Sequence, residues 1–360
     1  MNKEILKVKV LDGHSDTFKK LFLIESADER SFLEENNQVH IDLIKAKRGG
    51  LVGGFSAIMV PQPADSPERD PYYGLTFTDT GYDVLYRSPI DCDYAIDFTD
   101  SVLELINNQV ELSNGEVKVL RSYGDFVDCV NNGVFSVILH LEGAAAIKKD
   151  LSNLKGYYDK GIRSIGLAWS RPNAFAYGVP YKYPHSPDTG PGLTEAGKDL
   201  VKACDELGIV VDLAHLNEKG FWDVAGLSSK PLVVSHAGVH QLCPSTRNLT
   251  DDQIDAVGRS GGVVGILFES TNLQPNGMPD ASMPISRIVE HISYVAKRIG
   301  VDHVAFGSDF DGADLPDELP DASFFPVLLR ELGAAGYTDD EIEKIAYKNW
   351  IRVVHDTWKS

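Results

Sequence analysis

A series of short, continuous apolar segments, alternating with helix-like stretches, constrains the fold more than any other feature of the sequence. Apolar runs of about four to eight residues are typical of strands buried on both faces, as in parallel sheets covered by helices. Eight such segments occur in the 360 residues, at 8–11, 51–60, 135–141, 162–168, 209–213, 231–234, 262–268 and 303–306. Eight strands that alternate with helices predict an α/β fold of the (β/α)8 type, a TIM barrel.

The segments between these strands carry helix signals, most clearly in the second half of the chain. Thr194 is a candidate N-cap of a helix that reaches Leu207, and Gly208 is placed to end it. Further helices are expected from Thr250 to about Gly261, over 285–299 with an apolar stripe, and from a capping box at 338–341 towards Trp358. These helices would cover the outside of the barrel.

Two connections are long and irregular. Residues 61–90, rich in Pro, Asp and Tyr, follow the second predicted strand, and residues 171–192, with five prolines, follow the fourth. Long connections in a compact domain are usually functional or mobile. Because the sequence contains no internal repeat and no interdomain linker, we expect a single barrel domain over residues 1–360 with these two excursions.

The charge balance narrows the class of partner. The chain has 34 Lys and Arg against 53 Asp and Glu, a formal net charge of −19, and the acidic residues are spread over its whole length. The field of such a chain repels phosphate, which argues against nucleic acid and anionic membranes as partners. A bound metal pair would reverse the sign locally, so that small anionic groups can still reach a metal site.

The cysteines and the first residues bear on the compartment. Cys92, Cys129, Cys204 and Cys243 lie far apart and form no CxxC pair. The start, MNKEILKVKV, has alternating Lys and lacks the long apolar run of a secretory leader, and no segment approaches the length of a membrane span. Free thiols are typical of the reducing cytoplasm, which is the predicted location.

Residue types that bind metal ions follow five of the eight predicted strands: His14 and Asp16, Glu142, His215, His236 and Asp309. Side chains alternate along a strand, so His14 and Asp16 project from the same face and can converge on one ion. Barrel enzymes carry their chemistry at the C-terminal ends of the strands, where all six residues would lie. Unpaired charges beside a barrel core cost several kcal/mol, so this set predicts a site for zinc or a similar divalent ion.

An ordered set of motifs resembles the membrane or renal dipeptidases, a metallopeptidase family of the amidohydrolase-like barrels. The set consists of LDGHSDT (11–17), KRGGLVGG (47–54), HLEGA (140–144), the block from LTEAGKDLV to DLAHLNEKG (193–220), VVSHAG followed by STRNLTDD (233–252), and GSDFDG (307–312). The resemblance runs from about residue 8 to the C-terminal helix. No single motif is specific, but their ordered combination is.

The resemblance implies a dipeptidase with two zinc ions. By motif matching, His14 and Asp16 would hold one ion, His215 and His236 would hold the other, and Glu142 would bridge them. The residue types agree with this chemistry, since paired cations lower the pKa of a shared water and polarise a carbonyl group. A carboxylate can bridge two ions where an imidazole cannot, which favours Glu142 over His140 as the shared ligand.

Two further residues receive roles from the resemblance. Asp309 matches the acid/base aspartate that moves the proton from the attacking water to the leaving amine, and the alternative is a carboxylate that only orients a metal ligand. Arg247, in STRN, matches the residue that grips the terminal carboxylate of the substrate, and the alternative is a surface salt bridge. Asp212 and Asp311 are expected to be structural or to support the ligands.

The chain departs from the best-known members of the family at the end of the fourth strand. Those members have a His there that helps to polarise the scissile carbonyl, whereas this chain has Trp169, which we expect to form a wall of the substrate pocket. Either the metal alone supplies that role, or it has moved to Arg171, Tyr177 or His185 of the following excursion. The difference bears on substrate range and rate.

Several alternatives stay open at this point. A lactonase, a deaminase or a cyclic-amide hydrolase would share the barrel, but many of these begin with His-x-His and bridge their metals through a carboxylated Lys. A non-catalytic metal-binding relative is the second alternative. The family resemblance also implies a homodimer, and it leaves dipeptides with a D-configured second residue open as substrates.

Overall fold

The computed structural model describes residues 8–26, 30–70 and 72–359, so that most of the chain start discussed above lies outside the described residues. All eight predicted strands are present. They are β1 (Val10–Ser15), β2 (Leu51–Ile58), β3 (Phe135–Glu142), β4 (Ile162–Gly166), β5 (Val210–Asp212), β6 (Val233–Ala237), β7 (Val263–Ile266) and β8 (Val304–Phe306). Each is parallel to the next in chain order.

The sheet nearly closes into a barrel where β1 meets the segment after β8. The amide of Asp16 donates to the carbonyl of Phe310 at 2.8 Å, and the amide of Asp309 donates to the carbonyl of His14 at 3.1 Å. These two hydrogen bonds join the ends of the first and last strands. The predicted (β/α)8 barrel is therefore confirmed, and its closure places the His14 and Asp309 segments side by side.

The two ends of the barrel interior differ in chemistry. Near the N-terminal ends of the strands the interior is apolar: Leu11, Phe55, Ile138, Val210, Val233, Val263 and Ala305 cluster with Trp350. Trp350 closes this end, with its ring centroid 5.1 Å from that of Phe55 and its indole N–H donating to the carbonyl of Phe306 at 2.8 Å. Buried polar side chains occupy the C-terminal end instead. The fold thus leaves one mouth of the barrel for polar chemistry.

The helices are Thr17–Leu23, Leu43–Gly49, Cys92–Leu112, Tyr123–Asn132, Leu154–Lys160, Glu195–Leu207, Glu218–Leu227, Asp251–Arg259, Ser270–Leu273, Ser286–Ile299, Phe325–Ala334, Asp339–Glu343 and Asn349–Thr357. The predicted signals are confirmed: Thr194 accepts from the amide of Gly197, Gly208 has φ of 75°, and Thr338 forms its capping box with Glu341. These local rules fix where the covering helices begin and end.

The C-terminal helix differs from the prediction. It is interrupted by a π-helical segment, Lys344–Lys348, between Asp339–Glu343 and Asn349–Thr357. A π turn holds one residue more than an α turn, so it rotates the helix that follows it. That following helix is the one that carries Trp350 into the barrel.

The two excursions contain a small sheet that the sequence did not reveal. Leu75–Phe77 and Tyr82–Val84 form an antiparallel hairpin, and Tyr82–Val84 also pairs with Lys182–Tyr183. The excursions at 61–90 and 171–192 therefore meet above the barrel. A further short strand, Val117–Val119, pairs with β3 on the outside. Strands of two or three residues are too short to show an alternating pattern.

None of the helices in the described ranges combines the length and the apolar character that crossing a membrane requires.

Candidate metal centre

The six residues predicted at the rim meet at the C-terminal mouth of the barrel, with Glu142 at their centre. Oε2 of Glu142 lies 3.6 Å from Nε2 of His14. Its Oε1 lies 2.9 Å from Nε2 of His215 and 3.7 Å from Nε2 of His236. Each carboxylate oxygen of Glu142 therefore faces a different group of side chains.

The first group consists of His14, Asp16 and Asp309. Nε2 of His14 lies 4.0 Å from Oδ2 of Asp16 and 3.8 Å from Oδ1 of Asp309. The second group consists of His215 and His236, whose Nε2 atoms are 3.0 Å apart. The first group, and the second group together with Glu142, each offer three ligand atoms within 4.8 Å of one another, close enough to hold a metal ion, and His14, Asp212 and His236 form a further such set.

The hydrogen bonds of these side chains fit a metal site. Nδ1 of His215 lies 2.9 Å from Oγ of Ser170, and Nδ1 of His236 lies 2.9 Å from Oγ of Ser235. Bonds of this kind at Nδ1 orient an imidazole so that Nε2 can bind a cation. His14 is fully buried, and neither of its ring nitrogens has a hydrogen-bond partner among the described residues. A buried polar atom without a partner is costly, and a cation bound at Nε2 would remove that cost for this nitrogen.

The backbone at the site is strained where two of these side chains leave their strands. His215 has φ of 65° and Asp309 has φ of 62°, in the left-handed region that side chains rarely adopt. Such conformations cost of order 1–3 kcal/mol each and cluster at functional sites. Gly312 completes the packing, because a Cβ there would lie 2.3 Å from both Oδ2 of Asp16 and Oδ1 of Asp309.

The electrostatics of the site balance carboxylates against imidazoles. Burial lowers the pKa of His14, but the charges of Glu142, Asp309 and Asp16 outweigh it and raise that pKa to about 10. In turn, His14 and His215 overcome the effect of burial and hold the pKa of Glu142 well below its usual range. These carboxylates therefore favour a buried positive charge at the position of His14.

The second pair of imidazoles stays neutral. Burial, with the charge of Arg247, lowers the pKa of His215 to about 4. Burial and the charge of His14 lower the pKa of His236 well below its usual range. A neutral imidazole is the form that binds a divalent cation.

Asp309 and Asp16 differ in their surroundings. Burial raises the pKa of Asp309 well above its usual range; His14 opposes this shift, and Asp16 and Glu142 add to it. Asp16 is held by Lys19, whose Nζ lies 2.9 Å from its Oδ1. Burial raises the pKa of Asp16 as well, but the charge of Lys19 opposes that shift. Asp309 has no ammonium group within 4.0 Å among the described residues, and its carboxyl group favours carrying a proton.

A layer of buried polar side chains lies directly under the two groups. Asp212 accepts hydrogen bonds from the amide and the hydroxyl of Ser235, at 2.8 and 2.5 Å, and that hydroxyl also contacts His236. Nε2 of His140 lies 3.5 Å from Oδ2 of Asp212. Asp212 thus reaches His236 through Ser235, and His140 lies in the layer below rather than between the two groups.

Asp311 has a different setting, away from the ligand atoms. Its carboxylate accepts from the amide of His40 at 2.9 and 3.0 Å and from the hydroxyl of Thr17 at 2.5 Å. These bonds tie the segment around His40 to the mouth of the barrel, which is a structural role.

Arg247 lies beside the second group. It is 5% exposed, and its Nη2 donates to the carbonyl of His236 at 3.3 Å. No carboxylate oxygen of the described residues lies within 4.0 Å of its guanidinium group. A buried guanidinium group without an ion pair differs from a surface salt bridge, and it can accept an anionic ligand.

The residues at the end of the fourth strand surround Trp169. Its ring centroid lies 5.9 Å from that of His215, and the guanidinium carbons of Arg171 and Arg87 lie 5.0 and 5.5 Å from the indole. Arg171 is buried and donates from Nη2 to the carbonyl of Val60. Burial lowers its pKa to about 10, and the charge of Glu142 opposes that shift.

The other two candidates of that excursion lie apart from the metal groups. Tyr177 pairs with Pro172 in an isolated bridge, and its carbonyl accepts from the amide of Asn217 at 3.2 Å. His185 is exposed, and its Nδ1 lies 2.6 Å from the carbonyl oxygen of Ser186. Neither side chain belongs to the cluster around Glu142.

A cavity of about 420 Å³ opens next to the centre. It lies between Trp169 and Ser170 after the fourth strand, Tyr181 of the excursion that follows, and the hairpin of the excursion after the second strand. Its volume falls in the range of small-molecule sites, about 300–1,000 Å³. Its walls are mostly apolar and aromatic, and Arg87, Glu269 and Asp314 contribute charge. Ser170 joins the two regions, because it lines the cavity and also contacts His215.

Sequence reasoning missed several residues that shape the site: Lys19, Ser170, Ser235 and Glu269. Lys19 could have been found, because it follows Asp16 by three residues in a helical segment and lies on the same face. The two serines carry no signal of their own, since their role depends on an imidazole from another strand. Glu269 follows β7, where the sequence analysis placed no site residue.

Comparisons with known proteins show what this chain is similar to. The family model described as membrane dipeptidase, peptidase family M19, matches residues 2–359. A solved metallopeptidase from Rhodobacter sphaeroides, bound to a phosphinate mimic of the dipeptide L-Ala-D-Ala, is 38% identical with a TM-score of 0.92, over 98% of this chain and 100% of that one.

Two curated proteins are also similar in sequence. A protein of Klebsiella pneumoniae, described only as uncharacterized and encoded in the pqqA 5' region, is 42% identical over 264 residues, which are 73% of this chain and 97% of that protein. Dipeptidase tcpJ of Claviceps purpurea is 27% identical over 353 residues, 96% of this chain and 76% of that protein.

Proposed function

Since the chain belongs to the membrane dipeptidase family, whose members are metal-dependent peptide-bond hydrolases, we propose that it is a binuclear zinc dipeptidase that cleaves free dipeptides into two amino acids. The single observation that carries the proposal is the position of Glu142, with one carboxylate oxygen towards His14 and the other towards His215 and His236.

In this proposal His14 and Asp16 would hold one zinc ion, His215 and His236 would hold the other, and Glu142 would be shared between them. Imidazole and carboxylate ligands suit zinc, and the second group lacks the thiolates that would favour a softer ion. When bound, such a pair lowers the pKa of a water and polarises a carbonyl oxygen. Ser170 and Ser235 keep Nε2 of each imidazole of the second group directed at its ion.

Asp309 is the proposed acid/base residue. Its carboxylate lies against the first group, 3.8 Å from His14, and its raised pKa favours uptake of a proton. A carboxyl group that gains a proton from the attacking water can pass it to the amine that leaves. The left-handed backbone at Asp309 directs that carboxyl group towards His14 of the first group.

Arg247 is the proposed anchor for the terminal carboxylate of the dipeptide. Its buried guanidinium group has no ion pair within 4.0 Å among the described residues and lies next to His236, so an anion bound there would be close to the metal groups. A planar guanidinium fork matches a carboxylate in two parallel hydrogen bonds. Trp169 and Tyr177 would line the substrate region, with Trp169 beside His215.

Arg171 is the residue of the fourth-strand excursion that we propose to face the substrate carbonyl. The side chain of Trp169 is uncharged, but the guanidinium group of Arg171 stacks on its ring. Arg171 also lies within electrostatic reach of Glu142. A buried guanidinium group stabilises negative charge that develops on a carbonyl oxygen. His185 is exposed and is the weaker candidate.

Further parts of the proposal rest on the family or on composition. The solved relative that is 38% identical binds a mimic of L-Ala-D-Ala, which supports dipeptides with a D-configured second residue as substrates here. Four free cysteines, three of them buried, are in keeping with the cytoplasm. We also propose one catalytic domain, a homodimer, and no nucleic acid or membrane partner.

The experiment that tests this function is an assay of zinc-loaded protein on free dipeptides, N-acyl amino acids and lactones in parallel. We expect cleavage of the dipeptides, loss of activity on chelation and recovery on return of zinc. Activity on N-acyl amino acids or lactones alone would replace the proposal by that of another amidohydrolase. Zinc binding without turnover of any substrate would indicate a non-catalytic relative.

A further inference from the structure

We propose that the cavity beside Trp169 and Tyr181 receives the side chain of the C-terminal residue of the dipeptide, and that it favours a long aliphatic side chain that ends in a positive charge, as in lysine and arginine. The inference rests on the proposed function, which it deepens by naming the class of substrate. It follows from the position of the cavity, the character of its walls and the charges at its surface.

The position of the cavity assigns it to the C-terminal residue. Pro180 and Tyr181 line it, and the hydroxyl of Thr246, the residue before Arg247, donates to the carbonyl of Pro180 at 2.5 Å. Arg247 therefore lies next to the segment that forms this wall, and its charge also opposes the rise in pKa that burial causes at Tyr181 and Glu269. A dipeptide whose terminal carboxylate lies on Arg247 has the side chain of that same residue closest to the cavity.

The walls of the cavity suit an alkyl chain. The apolar and aromatic side chains include Leu75, Tyr82, Val84, Leu85, Met278 and Pro279. Three of these belong to the small sheet formed by the excursions, and the methionine and proline lie in the segment after Ser270–Leu273. The methylene groups of a long side chain can bury their surface here while a polar end group stays at the rim.

The charges at the cavity favour a cation at that end. Glu269 and Asp314 line it, and one oxygen of Glu269 already accepts a bond from Nδ2 of Asn272. Within the described ranges, no Lys or Arg nitrogen lies within 4.0 Å of the carboxylate of Glu269. An ammonium or guanidinium group that reaches Glu269 would form a charge-assisted hydrogen bond away from bulk water.

Among the described residues that line the cavity, Arg87 is the one with a positive side chain, and it defines the competing possibility. Its guanidinium group lies over the ring of Trp169 and donates to the carbonyl of Asp70 at 3.1 Å. With two carboxylates against one guanidinium group, the lining carries an excess of negative charge. An acidic side chain would have to pair with Arg87 while facing Glu269 and Asp314, which disfavours it.

The test compares dipeptides that differ in the side chain of the second residue. Zinc-loaded protein is assayed on Ala-Lys, Ala-Arg, Ala-norleucine and Ala-Glu, each with an L and a D second residue. We expect kcat/KM for Ala-Lys to exceed that for Ala-norleucine by about tenfold or more, as a hydrogen bond between charged groups provides, and Ala-Glu to be the poorest. Equal rates for Ala-Lys and Ala-norleucine, or a preference for Ala-Glu, would overturn the proposal.

Glu269→Gln tests whether Glu269 causes the preference for Ala-Lys over Ala-norleucine. The amide still accepts the bond from Asn272 but carries no charge, so the ratio of kcat/KM for Ala-Lys over Ala-norleucine should fall by about tenfold. Glu104→Gln is the matched control, because Glu104 is exposed on Cys92–Leu112 and lies outside the cavity lining; it should leave the ratio unchanged. A ratio in Glu269→Gln equal to that of the parent chain would remove Glu269 from the recognition of the side chain.

The outcomes separate this inference from the function on which it rests. If Ala-Ala is cleaved while Ala-Lys has no advantage, the dipeptidase proposal stands and only the inference about the cavity is wrong. If no dipeptide is cleaved by metal-loaded protein, both are wrong. A preference for Lys-Ala over Ala-Lys would contradict the assignment of the cavity to the C-terminal residue.

Discussion

The metal groups and the cavity beside them occupy the same mouth of the barrel, but they are built differently. The five candidate ligands are at most 5% exposed and come from the ends of four strands that are hydrogen-bonded to their neighbours. The cavity wall includes a hairpin outside the barrel, where Phe77 is 65% exposed and Leu85, directly after the hairpin, is 64% exposed.

This difference separates the chemistry, which depends on the ligands, from the choice of dipeptide, which depends on the hairpin. The ligands have their positions set by the closure of the barrel, by left-handed backbone at His215 and Asp309, and by the hydroxyls of Ser170 and Ser235. The hairpin is held instead by two short strand pairings, the one between its own strands and the one with Lys182–Tyr183. We therefore expect changes at the ligands to abolish chemistry, and changes in the hairpin to alter which dipeptides are preferred.

Glu142→Gln is expected to have the largest effect. An amide offers one oxygen to cations where the carboxylate offers two, so the protein should retain fewer than two zinc ions per chain and lose nearly all activity. Elemental analysis of the purified variant measures the first and a dipeptide assay the second. Glu104→Gln, on an exposed helix face, is the control and should keep both. Full zinc occupancy in Glu142→Gln would contradict the bridging role.

Asp309→Asn should separate proton transfer from metal binding. Asn tolerates the left-handed backbone at this position, so the site should keep its shape and its two ions. Because an amide cannot take up the proton, kcat should fall by about 10²–10⁴-fold. A variant with a near-native rate would exclude Asp309 as the acid/base residue, and loss of zinc would make it a ligand instead.

Arg247→Ala tests the proposed anchor for the terminal carboxylate, between the metal groups and the cavity. Removal of the guanidinium fork should raise KM for free dipeptides by about 10–100-fold, the range for hydrogen bonds between charged groups, with a smaller change in kcat. Arg247→Lys keeps the charge without the fork and should recover part of the loss. An unchanged KM in the alanine variant would move the carboxylate site elsewhere.

Tyr82→Ala tests the hairpin, where we expect the smallest effect. Tyr82 lines the cavity, and its ring stacks 6.1 Å from that of Tyr183. The variant should keep its zinc content and change the relative kcat/KM among C-terminal side chains by about tenfold, the scale of a lost apolar contact in a pocket. A uniform loss of activity on all dipeptides, or a loss of zinc, would show that the hairpin is not separate from the chemistry.

The difference between the metal groups and the cavity also explains how much of the structure the sequence could predict. The barrel strands were found because buried parallel strands are continuous apolar runs, and the six rim residues were found because strand ends of a barrel share one mouth. The helix boundaries followed from local signals such as Thr194 and Gly208. Each of these inferences uses short-range pattern together with a known architecture.

The parts that could not be predicted depend on contacts between distant segments. The pairing of Tyr82–Val84 with Lys182–Tyr183 joins residues about a hundred positions apart, in strands too short to have a pattern. The contact of Ser170 with His215 and the stacking of Arg87 and Arg171 on Trp169 depend equally on tertiary structure. The end of the fourth strand was therefore recognised as a departure, but the sequence left Arg171, Tyr177 and His185 open as residues that could take over the role.

Anomalous diffraction at the zinc edge, from crystals of the zinc-loaded protein, would show the proposed pair of ions itself. We expect two peaks, one between His14 and Asp16 and the other between His215 and His236, with the carboxylate of Glu142 contacting both. A single peak, or two peaks without Glu142 between them, would contradict the proposed sharing of Glu142 by two ions.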